Sequence, residues 1–279
     1  MCNDNTQEVI IQVAKNCKLE ENRVVKITRQ GSKYAEIMCR DKPTRQSIKK
    51  ISADEYILLK TGEVRKFEKK VDKHSDNLRK TFARLRALIR TNFEGDAQNQ
   101  LFVTLTYAEN MTDSERLYEN FRKFMQRLKY QYLEHNFDYI CVAEPQGRGA
   151  WHMHVMLKSD QPVLFIDNRD MEKIWGNGWT DTQRLKSDDV GSYYVAYFTD
   201  LLETDKKGNK ARKKGERLSM YPVGFKLYRT SRGIVQPTVD NVEYTDVLDE
   251  YGAPIYEKTY EVVVGGEIVN RVYKRTHKR

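Results

Sequence analysis

Two histidines and a glutamate stand within one short stretch of the chain and could hold a metal ion. The stretch reads Glu144-Pro145-Gln146-Gly147-Arg148-Gly149-Ala150-Trp151-His152-Met153-His154. Because side chains in a strand alternate between two faces, His152 and His154 point the same way and Met153 points to the opposite, apolar side. The proline and the two glycines predict a turn centred near Arg148. That turn places Glu144 opposite His152, with Cβ atoms about 4.5–5.5 Å apart.

Two imidazoles and one carboxylate on the same sheet face make a three-ligand site with open positions, which a Lewis-acid catalyst needs. Imidazole ligands favour Mn²⁺ over Mg²⁺, whereas cellular availability favours Mg²⁺. We therefore predict Glu144, His152 and His154 as ligands of Mg²⁺ or Mn²⁺. A His-x-His pair alone is also typical of two surface histidines on an edge strand, which is the alternative.

Three tyrosines occur close together further along the chain, in Val190-Gly191-Ser192-Tyr193-Tyr194-Val195-Ala196-Tyr197-Phe198. Ser187 is a candidate N-cap of a helix, and helical spacing puts Tyr194 in the apolar stripe. Tyr193 and Tyr197 lie one turn apart along the edge of that stripe. A phenol at the border of a core can present its hydroxyl to a cleft. Beside a metal site Tyr193 and Tyr197 are therefore candidate nucleophiles, with Asp189 as a candidate base. The alternative is three tyrosines that only pack against a sheet.

A basic segment follows the tyrosines. The chain has 49 Lys and Arg against 40 Asp and Glu, a formal net charge of +9, and positions 204–217 hold seven cations and two acids. Such a segment near aromatic residues predicts contacts with a phosphate backbone, and a solvated loop is the alternative. The candidate DNA-binding residues are Arg148, Lys206, Lys207, Arg212, Lys213 and Lys214.

The elements that must position these residues follow from the hydrophobic pattern. Helical periodicity predicts a helix from Ser75 to about Thr91, and Thr112-Asp113-Ser114-Glu115 has the form of a capping box that starts a second helix. Short strands are predicted before residue 70, and longer ones at Leu101–Tyr107, Phe137–Glu144, Trp151–Lys158 and Tyr221–Arg229, with a hairpin of Glu257–Val264 and Glu267–Tyr273.

This pattern predicts an α+β fold with helices on one face of a sheet. We expect a β-rich N-terminal extension at 1–70, a central domain at 71–235, and a C-terminal β-hairpin with a basic tail at 236–279.

Three segments, in this order, resemble the motifs of rolling-circle replication initiators of the HUH endonuclease superfamily. They are the run Phe102-Val103-Thr104-Leu105-Thr106-Tyr107, the pair His152/His154, and the Tyr-x-x-x-Tyr helix. The similarity extends from about Ser75 to Ile234 and is closest to the phage and plasmid initiators that carry two tyrosines. Single-tyrosine members usually carry a lysine one helical turn after the tyrosine, and residues 193–202 contain none. The nature of the group that assists the leaving oxygen is left open.

The resemblance implies a ferredoxin-like antiparallel sheet with both histidines on a central strand. It also implies a metal-dependent endonuclease and ligase that nicks one strand at an origin through a 5′-phosphotyrosine. The expected partners are single-stranded or hairpin origin DNA, a host helicase and the replication machinery of a bacterial host. A HUH relaxase, a two-tyrosine transposase and a catalytically silent origin-binding protein are the alternatives. On Thr104 and Thr106, contact with DNA, support of the site and a purely structural role are all open.

Other function classes lack support in the sequence. No Gly-x-x-x-x-Gly-Lys-Ser/Thr run is present, so no P-loop helicase is fused to this chain. No apolar run approaches 18 residues, and the first residues lack the basic region of a secretory signal. The four cysteines have no paired close spacing that would indicate a zinc or disulfide framework. We expect a soluble cytoplasmic protein without a membrane partner.

Overall fold

The computed structural model describes residues 9–13, 19–40, 48–52, 55–66, 73–147, 149–199, 201–204, 210–213, 216–264 and 267–278. For residues 9–13, 73, 201–204, 210–213, 216, 262–264 and 267–269 it describes the backbone only. The chain forms two units, Asp72–Gln236 and a second unit made of Met1–Val71 together with Pro237–Arg279. The predicted boundaries near residues 70 and 235 stay a prediction.

The strands are β1 (Val9–Val13), β2 (Val24–Gln30), β3 (Tyr34–Arg40), β4 (Ile48–Lys50), β5 (Glu55–Leu58), β6 (Val64–Lys66), β7 (Gln100–Leu105), β8 (Phe137–Pro145), β9 (Trp151–Ser159), β10 (Thr180–Gln183), β11 (Leu201–Thr204), β12 (Lys210–Lys213), β13 (Tyr228–Thr230), β14 (Thr238–Glu243), β15 (Tyr256–Val264) and β16 (Glu267–His277). The helices are α1 (Lys73–Asn92), α2 (Ser114–Gln131), α3 (Asn168–Trp175), α4 (Val190–Thr199) and α5 (Tyr244–Tyr251), with a 3₁₀ helix at Glu216–Met220. None of these described helices combines the length and the apolar character that crossing a membrane requires.

The unit made of both chain ends is built on a six-stranded antiparallel sheet. Its strand order is β1-β15-β16-β3-β2-β14, and a separate sheet joins β4, β5 and β6. Buried side chains of β2 and β3, such as Ile27 and Ile37, pack with Tyr244, Val247 and Tyr251 of α5. The predicted C-terminal hairpin is confirmed, since β15 pairs with β16 along its whole length.

The unit Asp72–Gln236 is built on a five-stranded antiparallel sheet with the order β10-β7-β9-β8-β13. The strand β9, which carries both histidines, lies at the centre between β7 and β8. The α+β class with antiparallel sheets is therefore confirmed. The helix α2 begins as its sequence predicts, because the carboxylate of Asp113 accepts hydrogen bonds from the N–H groups of Glu115 and Arg116.

Helices lie on both faces of this sheet, which differs from the expectation of helices on one face. The strand residues Val103, Met153 and Val155 pack with α2 and α3 in one buried cluster. Their neighbours along the same strands, such as Phe102 and Met156, pack with α1 and α4 in a second cluster. The central strands are apolar on both sides, and a sheet of that kind needs a cover on each face.

Candidate metal centre and the tyrosine helix

A tight hairpin connects β8 to β9 and fixes which residues face each other. The Gln146 N–H donates to the Ala150 carbonyl, and the Gly149 N–H donates to the Gln146 carbonyl, each over 2.8 Å. Gly149 has a φ of 83°, a left-handed value that favours glycine. The resulting register pairs Glu144 with His152 directly. The predicted juxtaposition of these two residues is confirmed.

Glu144, His152 and His154 form a compact group of possible metal ligands. One ligand atom of each lies within 4.8 Å of the others. The Glu144 Oε2 atom is 2.7 Å from His154 Nε2 and 3.9 Å from His152 Nδ1. Glu144 is only 3% exposed and His154 is buried, whereas His152 is partly open to solvent. The group is therefore reached from the His152 side.

The chemistry of this donor set fits a divalent ion. Burial lowers the pKa of His154 to about 3, so that its imidazole is neutral, which is the form that binds metals. Two neutral imidazoles and one carboxylate leave coordination positions open for a substrate oxygen. We conclude that the three side chains can hold Mg²⁺ or Mn²⁺, and their arrangement does not select between the two.

Neighbouring side chains hold the His154 ring in place. Thr104 Oγ1 lies 3.2 Å from Nδ1, and the Phe102 ring stacks on the imidazole with 5.5 Å between centroids. Hydrogen bonds of this kind orient ligand imidazoles in metal sites. Of the two threonines, Thr104 supports the candidate site. Thr106 follows the end of β7, and its N–H donates to the Trp179 carbonyl.

The helix α4 carries the tyrosines and packs tightly against α1. Gly191 is needed at this contact, because a Cβ atom there would lie 2.7 Å from the Arg86 carbonyl oxygen. The buried side of α4 contains Val190, Tyr194 and Phe198, as the helical spacing predicts. Burial raises the pKa of Tyr194 to about 12. Tyr194 is thus a packing residue.

Tyr193 and Tyr197 lie on the exposed edge of α4, with exposed fractions of 48% and 36%. The Tyr197 ring meets the His154 ring edge to face, with 5.2 Å between centroids. The pKa of Tyr197 is raised, first by burial and then by the negative charge of Asp181 and by Tyr193. Its phenol is therefore protonated near neutral pH. The structure brings Tyr197 directly to the candidate ligands and Tyr193 one helical turn away.

Asp189 has a structural role, so its interpretation as a base is wrong. The Arg90 guanidinium donates to both carboxylate oxygens over 2.9 and 2.6 Å, and the Ser192 N–H donates to Oδ1 over 3.0 Å. Asp189 is therefore the N-cap of α4, a position that the sequence suggested for Ser187. Burial alone would raise the pKa of Asp189, but these hydrogen bonds outweigh it and lower the pKa to about 2.

Comparison with known proteins adds one finding. Residues 100–202 match a family model of replication-associated proteins, the ORF2 family. The matched segment contains β7, the hairpin with Glu144, His152 and His154, and the whole of α4. The match supports a replication initiator family. No curated protein and no solved structure matches the chain.

The predicted DNA-binding residues are only partly accessible to structural description. Arg148, Lys206, Lys207 and Lys214 lie outside the described residues. The backbone of Arg212 and Lys213 belongs to β12, which pairs with β11 directly after α4. The role of all six residues in DNA binding stays a prediction.

Sequence reasoning missed Arg217 as a member of the site. Its guanidinium Nη1 forms an ion pair with Glu144 Oε1, and the side chain is only 14% exposed. In the sequence Arg217 is one of seven cations in a basic segment. No local pattern separates it from the others, because its position depends on the 3₁₀ helix Glu216–Met220.

Proposed function

We propose that this protein initiates rolling-circle replication by nicking one DNA strand at an origin and later rejoining it. The observation that carries the proposal is the 5.2 Å contact between the Tyr197 ring and His154, in a group with metal-ligand chemistry. The family match over residues 100–202 supports a role in replication initiation. An exposed phenol beside such a group is suited to covalent attack on a phosphodiester.

The chemistry assigned to the chain is a transesterification. The Tyr197 or Tyr193 oxygen attacks phosphorus and loses its proton, the bond to the 3′ oxygen breaks, and that oxygen leaves with a proton as a 3′-hydroxyl. A divalent ion held by Glu144, His152 and His154 would supply Lewis-acid stabilisation of the phosphate charge. Because the phenols are protonated at neutral pH, proton removal accompanies the attack.

The product is a 5′-phosphotyrosine that retains one phosphodiester bond. Rejoining is the same reaction in reverse and therefore requires no ATP. The two phenols on one edge of α4 allow a second attack while the first tyrosine still carries DNA. The 3′-hydroxyl would prime a host polymerase, and a host helicase would unwind the duplex in the cytoplasm of a bacterial cell. The replicon would be a plasmid or a phage.

The experiment that tests this proposal uses the DNA that encodes the protein. Each strand of that replicon, in single-stranded form, is incubated with the full chain and Mn²⁺, and a covalent adduct is sought on denaturing gels. We expect an adduct with one strand, and none with His152→Ala or with a chelator. DNA binding without any adduct on either strand would contradict the proposal and favour a silent origin-binding protein.

A further inference from the structure

Arg217 enters the candidate metal centre from the 3₁₀ helix. Its Nη1 atom faces Glu144 Oε1, while the other carboxylate oxygen, Oε2, faces His154 and accepts a hydrogen bond from Gln146 Nε2 over 2.7 Å. The two oxygens of Glu144 are thus divided between a cation on one side and the imidazoles on the other. A buried carboxylate requires such a counter-charge.

The segment that carries Arg217 is anchored to the tyrosine helix and to α1. Tyr221, one residue beyond the 3₁₀ helix, donates a hydrogen bond from its hydroxyl to the Phe198 carbonyl over 3.4 Å. Its own carbonyl oxygen lies 2.8 Å from His74 Nε2, and its ring meets the Phe82 ring edge to face. The guanidinium is therefore held beside α4, the helix that presents the two phenols.

A second arginine–carboxylate pair in the same unit shows what a purely structural pair looks like. Arg90 binds both oxygens of Asp189 and also donates to Ser192 Oγ over 2.9 Å. Arg217 is different, because its Nε atom is buried and has no hydrogen-bond partner among the described residues. A buried donor without an acceptor is uncommon in folded proteins, and binding of an absent ion or substrate is one explanation.

A divalent ion at Glu144, His152 and His154 would share Glu144 with the guanidinium. Both cations then face one carboxylate at close range in a partly buried site, where repulsion between them is strong. The ion makes the arginine redundant as a counter-charge and leaves the site with excess positive charge. A phosphodiester carries the negative charge that offsets this excess, and the planar guanidinium matches phosphate oxygens in geometry.

We propose that Arg217 and the divalent ion are alternative counter-charges of Glu144, and that in the loaded site Arg217 donates to the oxygens of the scissile phosphate. This inference rests on the proposed nicking function. It assigns to Arg217 the stabilisation of the charge that develops on the phosphate and on the departing 3′ oxygen. Residues 193–202 contain no lysine for that role. Arg217 would therefore be a catalytic residue that enters the site from outside the matched segment.

The test measures metal affinity and cleavage separately, in the full chain. Calorimetric titration with Mn²⁺ alone, without DNA, compares the wild type with Arg217→Gln and Arg217→Lys. We expect Arg217→Gln to bind Mn²⁺ about tenfold more tightly, because an uncompensated Glu144 attracts the ion and the repulsion is gone. Arg217→Lys keeps the charge and should bind Mn²⁺ as the wild type does.

Cleavage is measured at saturating Mn²⁺ with the strand that gives an adduct in the wild type. We expect Arg217→Gln to reduce the rate of adduct formation by about 10²–10³-fold, and Arg217→Lys to restore part of it. The matched control is Arg229→Gln on the opposite face of the sheet, where the guanidinium stacks 3.6 Å from the Tyr118 ring centroid. That variant should leave both Mn²⁺ affinity and cleavage unchanged.

Two results would overturn the inference. They are an Mn²⁺ affinity of Arg217→Gln that is unchanged or weaker, and cleavage by that variant at the wild-type rate. If Arg217→Gln does not fold, an Arg217→Lys variant with altered Mn²⁺ affinity overturns the counter-charge role in the same way. Failure of the proposed function looks different, because the wild type itself then forms no adduct.

Discussion

The two faces of the five-stranded sheet use the same strands for different purposes. On the face covered by α2 and α3, β9 contributes Met153, Val155 and Leu157 to a closed apolar cluster. On the other face, the alternate positions His152 and His154 meet Glu144 beside α4. The comparison teaches that one face supplies rigidity, while the opposite face holds a buried polar group that burial alone would destabilise.

Adjacent residues of β9 provide the sharpest test of this division. His152→Ala should reduce adduct formation by roughly 10³-fold or more, because the phosphate loses a metal ligand, while binding of single-stranded DNA persists. Met153→Ala should instead cost about 2–5 kcal/mol of unfolding free energy and lower the melting temperature by on the order of 10 °C. Adduct yields at a permissive temperature and thermal denaturation separate the two effects.

The division fails if the two variants behave alike. Normal cleavage by His152→Ala in Mn²⁺ would remove the candidate ligands from the account. Loss of cleavage in Met153→Ala at a temperature where the protein is fully folded would place chemistry on the apolar face as well.

The pair Arg90–Asp189 lies on the chemical face but is predicted to serve stability. Asp189→Asn removes the counter-charge of an arginine side chain that is almost fully buried, which should cost about 3–5 kcal/mol. Chemical denaturation at pH 7 measures this loss. A variant as stable as the wild type would show that the pair contributes nothing to folding.

The same pair predicts a pH dependence. The pKa of Asp189 is lowered to about 2 in the folded protein, so its ion pair contributes stability above the ordinary aspartate pKa and loses it as pH falls from about 4 to 2. The difference in unfolding free energy between wild type and Asp189→Asn should be constant from pH 7 to 5 and about 2 kcal/mol smaller at pH 2. A difference that grows on acidification would contradict the sign.

Tyr194→Phe tests the boundary between packing and chemistry within α4. Its hydroxyl has only a hydrogen bond with the Lys186 backbone to lose, which is worth about 0.5–1.5 kcal/mol. Adduct formation should persist. The measurement is denaturation together with adduct yield, and abolished adduct formation in a folded variant would make Tyr194 a nucleophile.

The smallest expected effect concerns the basic segment. Joint neutralisation of Lys206, Lys207, Lys213 and Lys214 should weaken binding to single-stranded DNA and reduce its salt dependence. Each lost phosphate contact lowers the slope of log affinity against log salt by about 0.7. Titrations at several salt concentrations measure the slope, and an unchanged slope would mean that the segment is a solvated surface.

Local patterns predicted the parts of this molecule that depend on local geometry. The turn between β8 and β9 sets the register of Glu144 and His152, and helical spacing separates Tyr194 from its two neighbours. Long-range contacts escaped prediction. Whether Asp189 meets Arg90 and whether Arg217 meets Glu144 depend on how distant elements pack. The expected strand Tyr221–Arg229 also shrinks to Tyr228–Thr230, which frees the preceding segment to form the 3₁₀ helix.

The paired tyrosines carry the central claim, and adduct mapping after substitution tests it most directly. Tyr193→Phe and Tyr197→Phe are each incubated with the cleaved strand and Mn²⁺, alone and combined, and the DNA-linked peptide is identified by mass spectrometry. We predict that each single variant retains some adduct, on the remaining tyrosine, and that the double variant forms none. An adduct on Tyr194, or complete loss of cleavage in one single variant, would contradict the account and indicate a single nucleophile.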